Sequence, residues 1–150
     1  MRSIVLALTV LAAACAPQQT PAPAAPAAEN AALPAPTPSD VGVRINETQN
    51  GQSVSVAVNE RFAVELVGVP TAGYQWAPAQ MPAFLTRAGE TGGPTIAAQN
   101  QPGFAGGNHW AVLMFAATAS GTGELVLEMR RPWESGEPPA RTFRVTIVAR

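Results

Sequence analysis

The two residue types that most often carry out chemistry at protein sites occur once each in this chain, as His109 and Cys15. A nucleophile needs a base within reach, and zinc sites usually draw on several His or Cys ligands. His109 adjoins Trp110 at the start of an apolar run, so a strand-end histidine is favoured over a member of a Ser-His-Asp triad. The sequence therefore argues against an enzyme and predicts neither a metal site nor a cofactor.

Residues 103–107, Gly-Phe-Ala-Gly-Gly, have the glycine content of a phosphate-binding loop. Such a loop has a lysine at fixed spacing and opens a helix, and this chain shows neither feature at that point. We interpret the segment as a hairpin loop before a strand that begins near Asn108. The arginines are scattered and the formal net charge is −1, so no nucleic-acid surface is predicted.

The N-terminus has the features of a secretion signal over residues 1–14. Arg2 supplies the positive charge, and residues 4–14 form an apolar run. That run is shorter than the roughly 20 apolar residues that span a bilayer. The sequence therefore predicts export rather than a membrane-spanning segment.

The sequence Leu-Ala-Ala-Ala before Cys15 resembles a bacterial lipobox, in which the cysteine is acylated and becomes the mature N-terminus. Ala12 departs from the pattern, which more often has leucine there. We expect a lipid anchor on Cys15 in a bacterial cell envelope, facing the periplasm. Ala16, rather than aspartate, favours the outer membrane over the inner. The alternative is an ordinary signal peptide that releases a free periplasmic protein.

Residues 15–39 are dominated by Ala, Pro, Gln and Thr. Closely spaced prolines favour an extended spacer of about 3 Å per residue, so we predict a disordered tether. A Pro-rich ligand for a partner domain is the disfavoured alternative, since alanine fills the segment and flanking charge is lacking. Residues 40–150 then form one domain, long enough to bury a single core and held together without a disulfide. We expect a monomer.

Apolar residues alternate with polar ones along most of this domain, which is the pattern of half-buried strands. Glycine and proline clusters, including residues 89–94, indicate turns between them, and residues 77–85 hold at most one helical turn because of Pro78 and Pro82. These features predict an all-β, immunoglobulin-like β-sandwich of about seven or eight strands. The predicted core positions are Val54, Val56, Val58, Phe62, Val64, Leu66, Leu125, Leu127, Met129, Phe143, Val145 and Ile147.

Residues 69–76, Val-Pro-Thr-Ala-Gly-Tyr-Gln-Trp, read as a stiffened loop. Pro70 fixes its own φ and biases Val69 toward an extended conformation, while Gly73 permits a positive φ. Tyr74 and the tryptophan two residues later share a strand face and anchor the loop base in the core. A plain turn between strands is an equally simple interpretation.

Residues 130–134, Arg-Arg-Pro-Trp-Glu, read as a second stiffened loop. A tryptophan displayed next to a proline is the kind of residue that dominates interface energies. Alternatively, Trp133 folds back onto the sandwich as a cap. In either case Arg131 can stack on an aromatic ring or form an ion pair.

Taken in order, these loops resemble the chagasin family of cysteine peptidase inhibitors. That family has an Asn-Pro-Thr-Thr-Gly-Tyr/Phe loop, a glycine-rich loop before a strand that carries an aromatic residue, and an Arg-Pro-Trp loop. The counterparts are residues 69–74, residues 103–107 followed by Trp110, and residues 131–133. Three such motifs in the right order are more specific than any one of them.

The resemblance implies a reversible, non-covalent inhibitor whose three loops enter the active-site cleft of a papain-family cysteine peptidase. Val69 and Ala72 depart from the family's asparagine and threonine, which leaves a non-inhibitory envelope module for another periplasmic protein or peptide as the alternative. The residues implied to bind the peptidase are Val69, Pro70, Thr71, Ala72, Gly73, Tyr74, Gly103, Gly106, Gly107, Arg131, Pro132 and Trp133.

Overall fold

The structure is a computed structural model that describes residues 30–134 and 136–150. In this part of the chain eight strands form two four-stranded sheets, in the orders β1-β3-β6-β5 and β2-β8-β7-β4. This confirms the predicted all-β sandwich. The strands are β1 (Val43–Asn46), β2 (Ser53–Val56), β3 (Arg61–Gly68), β4 (Gln75–Gln80), β5 (Leu85–Pro94), β6 (His109–Ala117), β7 (Gly121–Arg130) and β8 (Arg141–Ala149).

The inner faces of the two sheets supply one apolar core. Alternate residues of β3, β7 and β8 point inward and are almost fully buried, and the rings of Phe62 and Phe115 stack at 5.6 Å between centroids. Eleven of the twelve predicted core positions belong to this core as buried or partly buried residues of strands; Val58 packs on it from just outside β2. No helix among the described residues is long and apolar enough to cross a membrane.

The outer face of the first sheet is also covered, which period-two alternation did not predict. Ala63, Val112 and Met114 are buried there in a second apolar cluster. Their cover is residues 31–41, which we call the N-terminal strap. The strap includes residues 31–39, which the sequence analysis assigned to the end of the tether and which contact the first sheet in the structure. The signal, Cys15 and the tether up to residue 29 lie outside the described residues.

One local prediction was wrong. Residues 89–94 belong to β5 instead of a turn. β5 is an edge strand, where glycine and proline are tolerated, and its register shifts at a bulge between Arg87 and Gly89, whose φ is +127°. Residues 77–80 continue the edge strand β4, which accommodates Pro78 without a helical turn.

Strand directions bring three connections to one end of the sandwich, which we call the loop end. The first loop (residues 69–74) joins β3 to β4, the glycine-rich loop (residues 95–108) joins β5 to β6, and the third loop (residues 131–140) joins β7 to β8. Because β3 pairs antiparallel with β6, and β4 with β7, all three leave the sheets on the same side. The three loops that the family resemblance implies are therefore at the same end of the fold.

Candidate functional site

The first loop is a single 3-10 turn held by backbone hydrogen bonds. The carbonyl of Val69 accepts from the amides of Ala72 (3.0 Å) and Tyr74 (3.2 Å). Gly73 closes the turn with φ +83°, in the left-handed region that favours glycine, as predicted. Pro70 and Thr71 are exposed at the tip. The loop therefore keeps its shape without help from polar side chains of its own.

Arg131 ties the third loop to the first. Its Nε donates to the carbonyl of Ala72 (2.9 Å), its guanidinium lies 4.4 Å from the centre of the Tyr74 ring, and its Nη1 donates to Glu134 (2.8 Å). The hydrogen bond to Glu134 raises the pKa of Arg131 above its ordinary value. The two loops are thus joined by a permanently charged, planar group whose fork geometry suits several simultaneous contacts.

Trp133 is the most exposed large apolar side chain of the described residues, with 68% of its surface open to solvent. The rest of its ring lies on Gly73: a Cβ added there would be 2.1 Å from the Cη2 atom of the indole. Trp133 is therefore mainly displayed and only partly folded back, and the absence of a side chain at Gly73 is what lets it rest there. The exposed Pro132 lies between Arg131 and this ring in the chain.

The glycine-rich loop bends at three glycines with positive φ: Gly103 (+84°), Gly106 (+82°) and Gly107 (+90°). Gln99 supports it from beneath. Its Nε2 donates to the carbonyl of Asn108 (2.7 Å), and a Cβ on Gly107 would lie 2.9 Å from the same nitrogen. Gln99 was absent from the predicted site, because a lone glutamine within a loop carries no pattern that marks it.

Phe104 at the tip of this loop is 44% exposed and was also absent from the predicted site. An exposed phenylalanine among glycines is a signal that could have identified it. With Trp133 it makes two large apolar side chains displayed at the loop end.

A groove of about 480 Å³ separates the first loop from the ends of β5 and β6. Pro70 and Tyr74 line one side, and His109 and Trp110 line another. His109 is the first residue of β6, as predicted, and its Nδ1 lies 3.3 Å from the carbonyl of Gly107. No group of three or more potential metal ligands occurs in residues 30–134 and 136–150. The arrangement is suited to contact by shape rather than to bond making.

Comparison with known proteins agrees with this geometry. Residues 55–147 match the model of the chagasin family peptidase inhibitors. Amoebiasin-1 of Entamoeba histolytica is 30% identical over 103 residues, which cover 69% of this chain and 95% of that protein.

Two solved structures share the fold. The cysteine protease inhibitor EhICP2 from Entamoeba histolytica has a TM-score of 0.61 at 21% identity, over 72% of this chain and 96% of that one. The solution structure of Amebosin has a TM-score of 0.50 at 28% identity, over 72% and 97%. All three predicted loops fall within the matched residues.

Proposed function

Because this chain belongs to the chagasin family of peptidase inhibitors, we propose that it is a reversible, non-covalent inhibitor of papain-like cysteine peptidases. The observation that carries the proposal is the joined pair of loops, in which Arg131 and Trp133 hold the first loop from the side and leave its tip exposed. The first loop faces the catalytic centre of the peptidase. The glycine-rich and third loops contact the two walls of the cleft.

The pre-formed first loop supports this proposal energetically. A loop that is already fixed in its bound shape loses less conformational entropy on binding. Here Pro70, the backbone hydrogen bonds of Val69 and the bond from Arg131 fix the shape before a partner arrives. Blocking is then steric, and no covalent bond to the peptidase is needed.

The departures at Val69 and Ala72 remove side-chain polar groups but leave the loop's shape intact. Each position contributes its carbonyl to hold the turn, and a carbonyl does not depend on side-chain identity. A net hydrogen bond is worth about 0.5 to 1.5 kcal/mol, so lost contacts to the peptidase lower affinity without altering the mode of binding. This favours the inhibitor over the non-inhibitory envelope module.

Titration against papain and a cathepsin L-type peptidase tests the function. Residues 30–150 include the strap and are the segment to use, with a fluorogenic peptide as substrate. We expect inhibition that is lost on dilution, because no covalent bond forms. Absence of inhibition of both peptidases at tens of micromolar inhibitor, about 6–7 kcal/mol of binding free energy, would refute the proposal.

We propose further that Cys15 is lipidated and holds a monomeric inhibitor on the cell envelope, facing the periplasm from the outer membrane. The lipobox-like sequence before Cys15 and the following Ala16 support this. Metabolic labelling with a fatty acid analogue, followed by membrane fractionation, tests it. Label on the native chain and none on Cys15→Ser is the expected result; equal release of both proteins into the soluble periplasm would contradict it.

A further inference from the structure

We propose that the N-terminal strap is a fourth component of the loop end, which holds the glycine-rich loop in its binding position. This inference rests on the proposed function. The strap begins beside the glycine-rich loop and runs along the outer face of the first sheet toward the opposite end, where Gly42 donates to the carbonyl of Arg61. It thus crosses both strands that carry the loop.

Three hydrogen bonds connect the start of the strap to the two ends of the glycine-rich loop. Leu33 donates its amide to the carbonyl of Thr95 (2.8 Å), and Ala97 donates to the carbonyl of Ala31 (2.9 Å). The indole Nε1 of Trp110 donates to the carbonyl of Leu33 (2.9 Å). The strap therefore forms an isolated antiparallel bridge, between Ala32 and Ile96, and is bonded where the loop leaves β5 and just after it enters β6.

Residues bonded to the strap also hold the glutamine beneath the loop. The amides of Thr95 and Ile96 donate to Oε1 of Gln99 at 2.7 and 3.0 Å. The Nε2 atom of the same Gln99 side chain donates to the carbonyl of Asn108 and lies next to Gly107. A continuous set of contacts thus runs from the strap through Gln99 to the glycines at the predicted interface.

The rest of the strap is fixed along its length. Thr91 donates its hydroxyl to the carbonyl of Pro36 (3.0 Å), the hydroxyl of Thr37 donates to Glu65, and Ala35 packs on the second apolar cluster. Because these contacts anchor the strap to the sheet core, its first residues can restrain the loop rather than follow its motion. Glycine-rich segments lose the most conformational freedom when ordered, so such a restraint matters most at this loop.

The test compares Leu33→Pro with Leu33→Ala in the full-length chain, solubilised in mild detergent. Proline removes the amide that donates to Thr95, whereas alanine keeps both backbone hydrogen bonds and changes only the side chain. Pro34→Ala, at an exposed neighbour, is the matched control. We expect Leu33→Pro to raise the dissociation rate from papain about tenfold, while Leu33→Ala and Pro34→Ala stay within about twofold.

Hydrogen exchange of the free proteins provides a readout that does not need a peptidase. We expect faster exchange of the hydrogen-bonded amides of Thr95, Ile96 and Phe104 in Leu33→Pro, with the amides of β7 and β8 unchanged. If β7 and β8 also exchange faster, the variant is unfolding, and Thr91→Val, which removes the hydroxyl that donates to Pro36 of the strap, then takes its place with the same expectation. Unchanged exchange of these three amides in the folded variant overturns the inference, whether or not the native chain inhibits papain.

Discussion

Replacing Trp133 with alanine separates a displayed binding residue from a structural cap. The side chain lies partly on Gly73 but keeps 68% of its surface exposed. A cap contributes mainly to folding, whereas a displayed tryptophan contributes mainly to the complex. The variant therefore has different consequences for stability and for inhibition.

The exposed fraction sets the size of each effect. A buried aromatic side chain covers roughly 150–250 Å² of surface, so roughly 100–170 Å² of Trp133 is free to be buried by a peptidase. Burying that area corresponds to about 2.5–4 kcal/mol of binding free energy. The fraction on Gly73 corresponds to about 1–2 kcal/mol of folding free energy, an upper bound because the unfolded chain already buries some surface. We expect inhibition to weaken about 100-fold or more.

Two measurements on the same preparation check this expectation. The inhibition constant comes from progress curves of papain with a fluorogenic peptide, and the free energy of unfolding comes from urea titration. Met81→Ala is the matched control, because Met81 is an exposed apolar residue at the end of the domain away from the loops. The control should leave inhibition unchanged.

Equal losses of binding and folding free energy in Trp133→Ala would refute the reasoning, since they identify the ring as a cap. Unchanged inhibition would refute it as well, because it would show that the exposed face of the ring is not in the complex.

The same geometry predicts three further results. Gly73→Ala should lose at least as much inhibition as Trp133→Ala. A Cβ at Gly73 clashes with the Trp133 ring, and the left-handed φ costs alanine about 1–2 kcal/mol. A double-mutant cycle should show the two changes to be non-additive. Arg131→Lys should weaken inhibition about tenfold, because lysine lacks the planar fork of the guanidinium group. An inhibition constant equal to that of the native chain would contradict this prediction. Gly107→Ala should weaken papain binding more than Gly103→Ala. Both glycines have a positive φ, but a methyl group added at Gly103 meets open space, whereas one added at Gly107 meets Gln99. Inhibition constants for both variants provide the measurement.

Alternation predicted β7 and β8 well, because the inward face of each strand carries most of its buried residues. In β7 and β8 the inward residues Leu125, Leu127, Phe143, Val145 and Ile147 are buried as expected. A different rule, which reads clusters of glycine and proline as turns, was misleading at residues 89–94, because both residues are tolerated in an edge strand. The family predicted from the loop motifs is confirmed.

The strap and Gln99 were beyond sequence reasoning for a physical reason. Their contacts are mostly hydrogen bonds to backbone groups far away in the chain, such as Leu33 with Thr95, and these leave no periodic pattern. A proline-rich stretch also reads as spacer wherever it lies. The loops themselves were predictable because proline and glycine at fixed positions specify local backbone shape.

The path of the strap has a consequence for attachment. The chain enters the domain beside the glycine-rich loop, whereas Arg150 lies at the other end, bonded to Val56. A surface or fusion partner joined at Arg150 therefore leaves the loops clear, while one joined upstream competes with a peptidase for space. For a lipidated Cys15, an extended spacer over residues 16–29 would reach only about 45 Å, so its length limits the size of the peptidase that can dock between the domain and the membrane.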